Sequence, residues 1–241
     1  MDEIKNHHKK LLDAKRIKFV VVANMDLDGQ KKLVEKLNSY FGAIQKGSYK
    51  APEVGEIFVE GEDIFLKNEQ AGTSGYSIGF FNCPKRYDSD YVPFAISLMY
   101  LDDIFFDQVR EKAGAVYSIG TGVLGGKQML GAISAYKISD TENIHSLIYK
   151  AIESFPDEKQ VEEKLEQYKN KYITTLFDSS QSGTGVAANI ITSLEYSGKP
   201  DTYLKRSFQV QNVSARQVCS AYKKYIAPES KNKIRWITVT K

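Results

Sequence analysis

Two hydrophobic patterns alternate along the chain and predict strands mixed with helices. The continuous apolar run at residues 17–23, rich in β-branched side chains, is typical of a strand buried on both faces. Tyr76, Ile78 and Phe80 recur at period two, which predicts a strand that carries these side chains on one face. Over residues 158–177, apolar side chains recur every three or four positions, which predicts a long helix.

The same two patterns locate the remaining elements. Further helices are predicted at 3–15, 28–41, 90–109, 141–153, 184–197 and 214–226. Further strands are predicted at 56–66 (a pair around Gly61), at 115–121 and 128–138 (a hairpin), and at 234–240. The sequence is interpreted as free of internal repeats. This order predicts one α+β domain over residues 1–241, in which helices cover one face of a largely antiparallel sheet. Residues 1–16 are interpreted as a helix that links it to a preceding domain.

Composition and charge exclude some classes of protein. Of the 241 residues, 42% are hydrophobic and 26% are charged, an ordinary globular balance that allows a sizeable core. The net charge of +3 is too small to indicate binding to nucleic acid. No apolar run reaches about 18 residues, so no membrane span is predicted, and no signal peptide is recognised. Cys83 and Cys219 are interpreted as free thiols, which leaves the compartment undetermined.

Two glycine-rich stretches approach the pattern of a dinucleotide-binding loop. Gly120, Gly122 and Gly125 match its spacing, but the residues after them alternate like a strand, whereas a phosphate loop opens a helix. A hairpin loop is therefore favoured for these glycines. Gly183 and Gly185 do open a predicted helix, but they follow another helix instead of a strand, which argues against nucleotide binding.

Histidines and acidic residues do not assemble a metal site by their spacing. His7 and His8 are adjacent, so their side chains diverge on a helix, and His145 stands alone. Surface histidines are therefore favoured over zinc ligands, and no metal ligand is assigned. Asp102 and Asp103 are interpreted as an exposed acidic face, although they interrupt an otherwise apolar helix.

Arg110 and Tyr117 form the constellation with the clearest chemical meaning. Taken singly, Arg110 is typical of a cation near the C-terminal end of a helix, and Tyr117 is typical of an apolar ring in a strand. Gly114 allows a sharp turn between the helix and the strand, which brings the two side chains within reach of each other. A guanidinium and a phenol hydroxyl both donate hydrogen bonds. The pair therefore suits a peptide carbonyl, or the oxyanion formed when water attacks it.

The segment around this pair also resembles a known family. Residues 110–118, Arg-Glu-Lys-Ala-Gly-Ala-Val-Tyr-Ser, resemble the Arg-Glu-Lys-x-Gly-x-x-Tyr-Ser stretch of the pitrilysin/insulinase-type zinc metallopeptidases, the inverzincins. Residues 17–42 are similar to the strand, turn and helix that open a domain in that family. The predicted later helices agree with it in order and length. The likeness covers most of the chain, and its specific part is the motif at 110–118.

The resemblance implies a clam-shell built from similar α+β domains. One half of such a protein carries His-x-x-Glu-His and a distal glutamate, which bind zinc and activate its water. The facing half binds no metal and contributes the arginine and the tyrosine. The likeness thus makes Arg110 and Tyr117 the substrate-binding or transition-state residues of this chain, which would supply no catalytic residue and no cofactor of its own.

Two interpretations of the function follow from the resemblance. The sequence lacks His-x-x-Glu-His, so this chain alone is not expected to hydrolyse peptides. The first interpretation is a non-catalytic, substrate-contacting C-terminal domain of a zinc metalloendopeptidase, with a peptide substrate. Its partner would be a zinc-bearing half, either in the same polypeptide or in a separate subunit. The alternative is an inert structural or assembly subunit with the same fold, in which Arg110 and Tyr117 face a filled interface instead of an open cleft.

Overall fold

The structure, a computed structural model, describes residues 1–50, 58–69, 74–125 and 129–240. Within these ranges the chain forms eight α-helices, α1 (Asp2–Leu11), α2 (Leu27–Phe41), α3 (Tyr91–Phe105), α4 (Ile144–Glu153), α5 (Glu158–Ser180), α6 (Gly183–Ser197), α7 (Arg206–Gln211) and α8 (Ala215–Tyr225). The same ranges contain five strands, β1 (Ile64–Lys67), β2 (Gly75–Asn82), β3 (Val116–Gly125), β4 (Met129–Ile138) and β5 (Arg235–Thr240). Helix α3 continues into a π-helical turn at Phe106–Lys112. Short 3₁₀ turns lie at Ala14–Arg16 and Thr202–Lys205.

The five strands form one sheet in the order β1-β5-β2-β4-β3. Strand β2 runs antiparallel to both β4 and β5, and β3 runs antiparallel to β4, whereas β1 and β5 are parallel. Burial alternates along β2, where Ser77 and Phe81 are fully buried and Tyr76 is exposed. The helices cover the buried face of the sheet. This arrangement confirms the predicted α+β class with a largely antiparallel sheet.

Helix α3 is buried on almost all sides and separates two hydrophobic clusters. Phe94, Leu101 and Phe105 belong to the cluster that lies against the sheet and includes Trp236. Tyr100 belongs to the second cluster, which joins α3 to α5 and α8. A helix that is apolar all round must be covered on every side, so α3 forms the centre of the domain.

The two aspartates in α3 have specific partners. Asp102 Oδ1 accepts a hydrogen bond of 2.6 Å from the backbone N–H of Thr121, on the edge strand β3. Tyr168 donates a 2.6 Å hydrogen bond to Asp103, and Lys171 lies 3.7 Å from the same carboxylate. Asp102 is half-buried, and this burial raises its pKa. The predicted exposed acidic face is therefore wrong for Asp102 and holds only for Asp103.

The N-terminal segment differs most from the sequence-based prediction. Residues 17–23 form no strand, and Phe19 and Val21 are 50% and 52% exposed, so the predicted strand buried on both faces is wrong. The physical reason is that this run pairs with no strand within the described ranges. Helix α2 forms close to its predicted bounds, but none of its residues is buried. Asp13 is the one buried residue among residues 1–50.

The glycines that match the dinucleotide spacing belong to a strand. Gly120 and Gly122 lie within β3, paired with Ser134 and Ala132 of β4, and Gly125 is the last residue of β3. The predicted hairpin loop is therefore wrong for these glycines. No helix opens after them, since β4 begins at the next described residue, so the pattern lacks the helix that a phosphate loop requires.

Smaller differences concern element bounds. Of the two strands predicted at 56–66, the structure has β1 from Ile64, while residues 58–63 form no strand and 56–57 lie outside the described residues. Residue 128, the predicted start of the second hairpin strand, also lies outside them. Helix α7 was not predicted, because six residues are too few to show helical periodicity.

Replacement of Asp102 tests its role as an acceptor at the sheet edge. Asp102→Ala should lower the free energy of unfolding by about 1–3 kcal/mol, because the Thr121 N–H loses its partner at a partly buried site. Asp102→Asn keeps an acceptor and removes a partly buried charge, so it should retain stability at neutral pH.

The raised pKa of Asp102 adds a pH dependence to this comparison. A raised pKa in the folded state means that the ionised carboxylate opposes folding. Stability of the wild type relative to Asp102→Asn should therefore rise as pH falls through the folded pKa toward the ordinary aspartate value of about 4. Denaturant unfolding over this pH range measures both effects. Equal losses for the alanine and asparagine variants would contradict the assigned role.

Candidate functional site

A π-helical turn brings Arg110 to the surface at the end of α3. The turn is wider than an α-helix, and the Ala113 N–H donates to the Gln108 carbonyl at 3.2 Å. Val109 is buried and anchors the turn, whereas Arg110 is exposed. Gly114 then adopts a φ of +59°, a conformation that other residues rarely adopt, and redirects the chain into β3. Single π turns of this kind are frequent at functional sites.

Arg110 and Tyr117 lie side by side, as the sequence predicted. The Arg110 guanidinium carbon is 5.8 Å from the centre of the Tyr117 ring and 4.9 Å from that of Phe106. Lys137 Nζ lies 4.8 Å from the Tyr117 ring centre. Tyr117 is 66% exposed. Arg110 on the turn, Tyr117 on β3 and Lys137 on β4 therefore present two cations and a phenol together at the surface. A role for them in substrate binding stays a prediction.

Lys137 is a member of this cluster that the sequence analysis missed. It is a non-glycine residue with a positive φ, 52°, within β4. Tyr136 pairs with Tyr76 and Ile138 pairs with Gly75, so Lys137 is an extra residue that forms a bulge. The sequence carries one sign of this bulge. Every second residue of β4 is buried, but the position where the next buried residue is due holds the exposed Lys137, and the residue after it, Ile138, is buried instead.

Charged neighbours leave the site with a positive surplus. Arg110 Nε lies 3.5 Å from a carboxylate oxygen of Glu111, and Lys112 pairs with Asp107 at 2.6 Å. These side chains are exposed, and such pairs contribute about 0–1 kcal/mol each to stability. Lys137 adds a further cation beside the ring. An acceptor such as a carbonyl or carboxylate oxygen would therefore be attracted to this surface.

A pair of exposed aromatic side chains lies on β4 and β2, and β4 is the neighbour of the strand that carries Tyr117. Ser118 pairs with Tyr136 in the adjacent strand. The rings of Tyr136 and Tyr76 are 6.2 Å apart at 71°, and both side chains are exposed. Tyr76 was expected to share one face of β2 with Ile78, and the burial pattern of β2 agrees with this. Exposed aromatic rings are suited to contact a polypeptide.

The described residues do not fit a zinc ion. Among them, no group of three or more histidine, cysteine, aspartate or glutamate side chains could hold a metal. His145 is hydrogen-bonded to Ser77 at 2.9 Å and to Thr238 at 3.1 Å, and it stacks on Trp236 with ring centres 4.4 Å apart. Its burial lowers its pKa. The predicted surface position is therefore wrong for His145, which is a half-buried structural residue.

A separate cavity of about 300 Å³ lies between α5, α6 and α7. It is lined in part by Arg206, a buried side chain whose guanidinium lies 5.3 Å and 4.8 Å from the ring centres of Tyr87 and Tyr91. Neither Arg110 nor Tyr117 borders this cavity. The predicted pair is thus part of an open surface and not of this cavity.

Comparison with a known family identifies the chain. The family model described as the peptidase M16 inactive domain matches residues 1–172. The chain belongs to this family. Comparison of the chain with curated protein sequences found no match.

Solved structures share the fold of this M16 inactive domain. Pitrilysin is 14% identical with a TM-score of 0.70, over 99% of this chain and 26% of its own. The periplasmic protease PqqL from Escherichia coli is 14% identical with a TM-score of 0.62, over 88% and 24%. A peptidase M16 inactive domain from Pseudomonas fluorescens is 15% identical with a TM-score of 0.68, over 87% and 50%. The chain thus spans about a quarter of the first two proteins.

These findings confirm the predicted family. The chain is a non-catalytic protease domain of the M16 type. In the part of the chain that the structure describes, no helix is long and apolar enough to cross a membrane. Zinc in a partner half is an inference from the family.

Stability measurements should separate Arg110 and Tyr117 from the structural residues around them. Arg110→Ala and Tyr117→Ala should each lower the free energy of unfolding by no more than about 1 kcal/mol, the contribution of an exposed cation–π contact. Phe105→Ala, a matched change at the buried end of α3, should cost about 3–5 kcal/mol. Chemical denaturation of the three variants measures this. A loss for Arg110→Ala as large as that for Phe105→Ala would make the arginine a structural residue.

Proposed function

We propose that this M16 inactive domain contacts the peptide substrate of a zinc metalloendopeptidase through Arg110 and Tyr117. The observation that carries the proposal is that Arg110 of the π turn and Tyr117 of β3 lie together on an exposed surface, where they have few structural duties. The guanidinium and the phenol hydroxyl would donate hydrogen bonds to the substrate backbone, or to the oxyanion that develops on the scissile carbonyl.

The surroundings of the pair support a peptide ligand. Lys137 adds positive charge beside Tyr117, which favours an electron-rich acceptor over a cationic group. Tyr76 and Tyr136 offer exposed apolar rings on the neighbouring strands, suited to substrate side chains. Hydrogen-bond donors for the peptide backbone and aromatic contacts for the peptide side chains are two kinds of contact that suit an extended peptide.

The catalytic metal would belong to a zinc-bearing half, in the same polypeptide or in a separate subunit. That half would activate the attacking water, as the family likeness implies. The residues of this chain would orient the substrate and stabilise charge, and they would transfer no proton and hold no metal. The isolated chain is accordingly expected to be inactive.

The alternative function is that of an inert structural or assembly subunit. The exposed rings of Tyr76 and Tyr136 give this alternative a specific basis, since exposed aromatic side chains also suit a protein interface. In that case Arg110 and Tyr117 would be covered by another subunit and would not meet the substrate. Enzyme kinetics distinguish the two functions.

Kinetics of the assembled peptidase should reveal the role of the pair. With the zinc-bearing half present, Arg110→Ala and Tyr117→Phe should each lower turnover by about 100-fold or more if the pair stabilises developing charge. The double variant should cost less than the sum, because both donors act on one oxygen. If the pair only holds the substrate backbone, KM should rise while kcat stays nearly constant.

Controls make this kinetic test decisive. Arg216→Ala removes an exposed arginine on α8 and should leave both kinetic constants unchanged. Arg110→Lys keeps the charge and loses the planar fork of donors, so partial activity would indicate that the geometry of the guanidinium matters. Wild-type kinetics for Arg110→Ala and Tyr117→Phe, in variants that remain folded, would favour the inert subunit.

Metal analysis tests the division of labour between the two halves. The isolated chain, washed with a chelator and then dialysed against zinc, should retain far less than one equivalent, because His145 is engaged by Ser77 and Thr238. The zinc-bearing half should retain its metal under the same treatment. Stoichiometric zinc in the isolated chain would contradict the proposed division.

A further inference from the structure

Two arginines line the cavity between α5, α6 and α7, and no acidic residue lines it. Arg206, the first residue of α7, is 6% exposed, and Arg86, which precedes α3, is half-buried. Within the part of the chain that the structure describes, neither guanidinium forms an ion pair. Buried charges in proteins are normally paired, so two uncompensated cations beside one cavity need an explanation.

Each of these guanidinium groups also has a buried nitrogen that lacks a hydrogen-bond partner among the described residues. The two nitrogens are Nη1 of Arg206 and Nε of Arg86. Buried donors are almost always paired, because an unpaired donor loses its water without gaining an acceptor. Unpaired donors in two residues that line the same cavity therefore indicate an acceptor from outside the chain.

Aromatic rings and a backbone carbonyl hold the two arginines in place. Arg206 Nη2 donates a 2.6 Å hydrogen bond to the carbonyl of Arg86. The guanidinium carbons of Arg206 and Arg86 lie 4.8 Å and 5.9 Å from the centre of the Tyr91 ring. Tyr87 lies 5.3 Å from the carbon of Arg206, and Tyr196 lies 5.4 Å from that of Arg86. These rings stabilise the charges but provide no oxygen acceptor, so they position the donors and leave them unpaired.

Other residues that line the cavity provide apolar contacts and a further donor. Leu176 and Phe177 of α5 line it together with Leu204. Phe177 and Leu204 are 66% and 63% exposed, so the cavity is open to solvent on their side. Tyr172 also lines the cavity, and its burial raises its pKa to about 12. Its hydroxyl therefore stays protonated at neutral pH and can donate a hydrogen bond.

We propose that this cavity binds a small carboxylate that carries an apolar group. A carboxylate has two acceptor oxygens and no donor, which matches the two guanidinium groups, and the apolar group would lie against Leu176 and Phe177. The volume of about 300 Å³ is at the lower end of the range for small-molecule sites. Both a free organic acid and the C-terminus of a peptide present this chemistry. The site goes beyond the function proposed for Arg110 and Tyr117, neither of which borders the cavity.

Calorimetric titration of the full chain with 3-phenylpropionate tests the site. At constant ionic strength, the acid should bind at one saturable site. The amide 3-phenylpropionamide has nearly the same shape but no charge, and it should bind at least about tenfold more weakly. Inorganic phosphate should also bind more weakly, because it has no apolar group. Equal affinity for the acid and the amide, tighter binding of phosphate, or no saturable binding would overturn the proposal.

Arginine variants test which groups hold the carboxylate. Arg206→Met keeps an apolar side chain beside the rings but removes the donors, and Arg86→Gln removes the second charge. Each should weaken the binding of 3-phenylpropionate by about tenfold or more. Arg216→Ala, at the exposed arginine of α8, should leave the affinity unchanged. Wild-type affinity in either cavity variant, with its fold verified by circular dichroism, would leave only a structural cation–π cluster and would overturn the proposal.

Substitutions at exposed positions keep the test decisive if Arg206→Met does not fold. Phe177→Asp places a negative charge among the residues that line the cavity and removes an apolar contact, so it should weaken binding by about tenfold or more. Phe208→Asp makes the same change at a residue that is 68% exposed and does not line the cavity, and it should bind like the wild type. Equal affinities for these two variants would contradict the assigned site.

A short peptide distinguishes the two sources of the carboxylate. The tripeptide Ala-Ala-Phe with a free C-terminus presents a carboxylate close to an aromatic ring. If it binds more tightly than 3-phenylpropionate, the site is assigned to a peptide C-terminus, whereas tighter binding of the free acid assigns it to a small organic acid. Binding of the amidated tripeptide as tight as that of the free peptide would overturn carboxylate recognition. None of these measurements involves Arg110 or Tyr117, so they can fail independently of the kinetic test.

Discussion

The complete burial of α3 is the constraint on which the rest of the structure depends. The sheet covers one side of this helix, and α5 and α8 cover the other, so its C-terminal end has one position available. Val109 continues the buried row into the π turn, which leaves Arg110 on the solvent side. Gly114 then returns the chain to the sheet as β3. The proximity of Arg110 and Tyr117 is thus a consequence of how the core is packed.

Local sequence patterns predicted two kinds of feature. One is a contact between residues that are near in sequence, and the other is a helix or strand whose buried residues follow the spacing of its hydrophobic residues. Helix α3 and the hairpin of β3 and β4 are examples, and so is the meeting of Arg110 and Tyr117 across one turn. Asp102 and His145 were misread because their partners lie 19 and at least 68 residues away, beyond any local pattern. Lys137 joins the site through a bulge, which the sequence marks only by a break in alternation.

Residues 17–23 show why a strand pattern alone does not establish burial. The pattern states which side chains suit an interior strand, while burial depends on the neighbours that are present. Arg110 and Tyr117 are likewise exposed, and their hydrogen-bond donors have little structural use within this chain. The exposure of the pair is accounted for if this M16 inactive domain works against a zinc-bearing half, as proposed above.

Site-specific photo-crosslinking at position 117 tests the central claim most directly. A benzophenone amino acid in place of Tyr117 should, in the assembly with the zinc-bearing half, crosslink to the peptide substrate. The same amino acid in place of Phe177, which is equally exposed at 66% but lies on α5 away from the turn, should not. Crosslinks from position 117 to protein alone, with none to the peptide, would place the pair in a filled interface and contradict a substrate-contacting role.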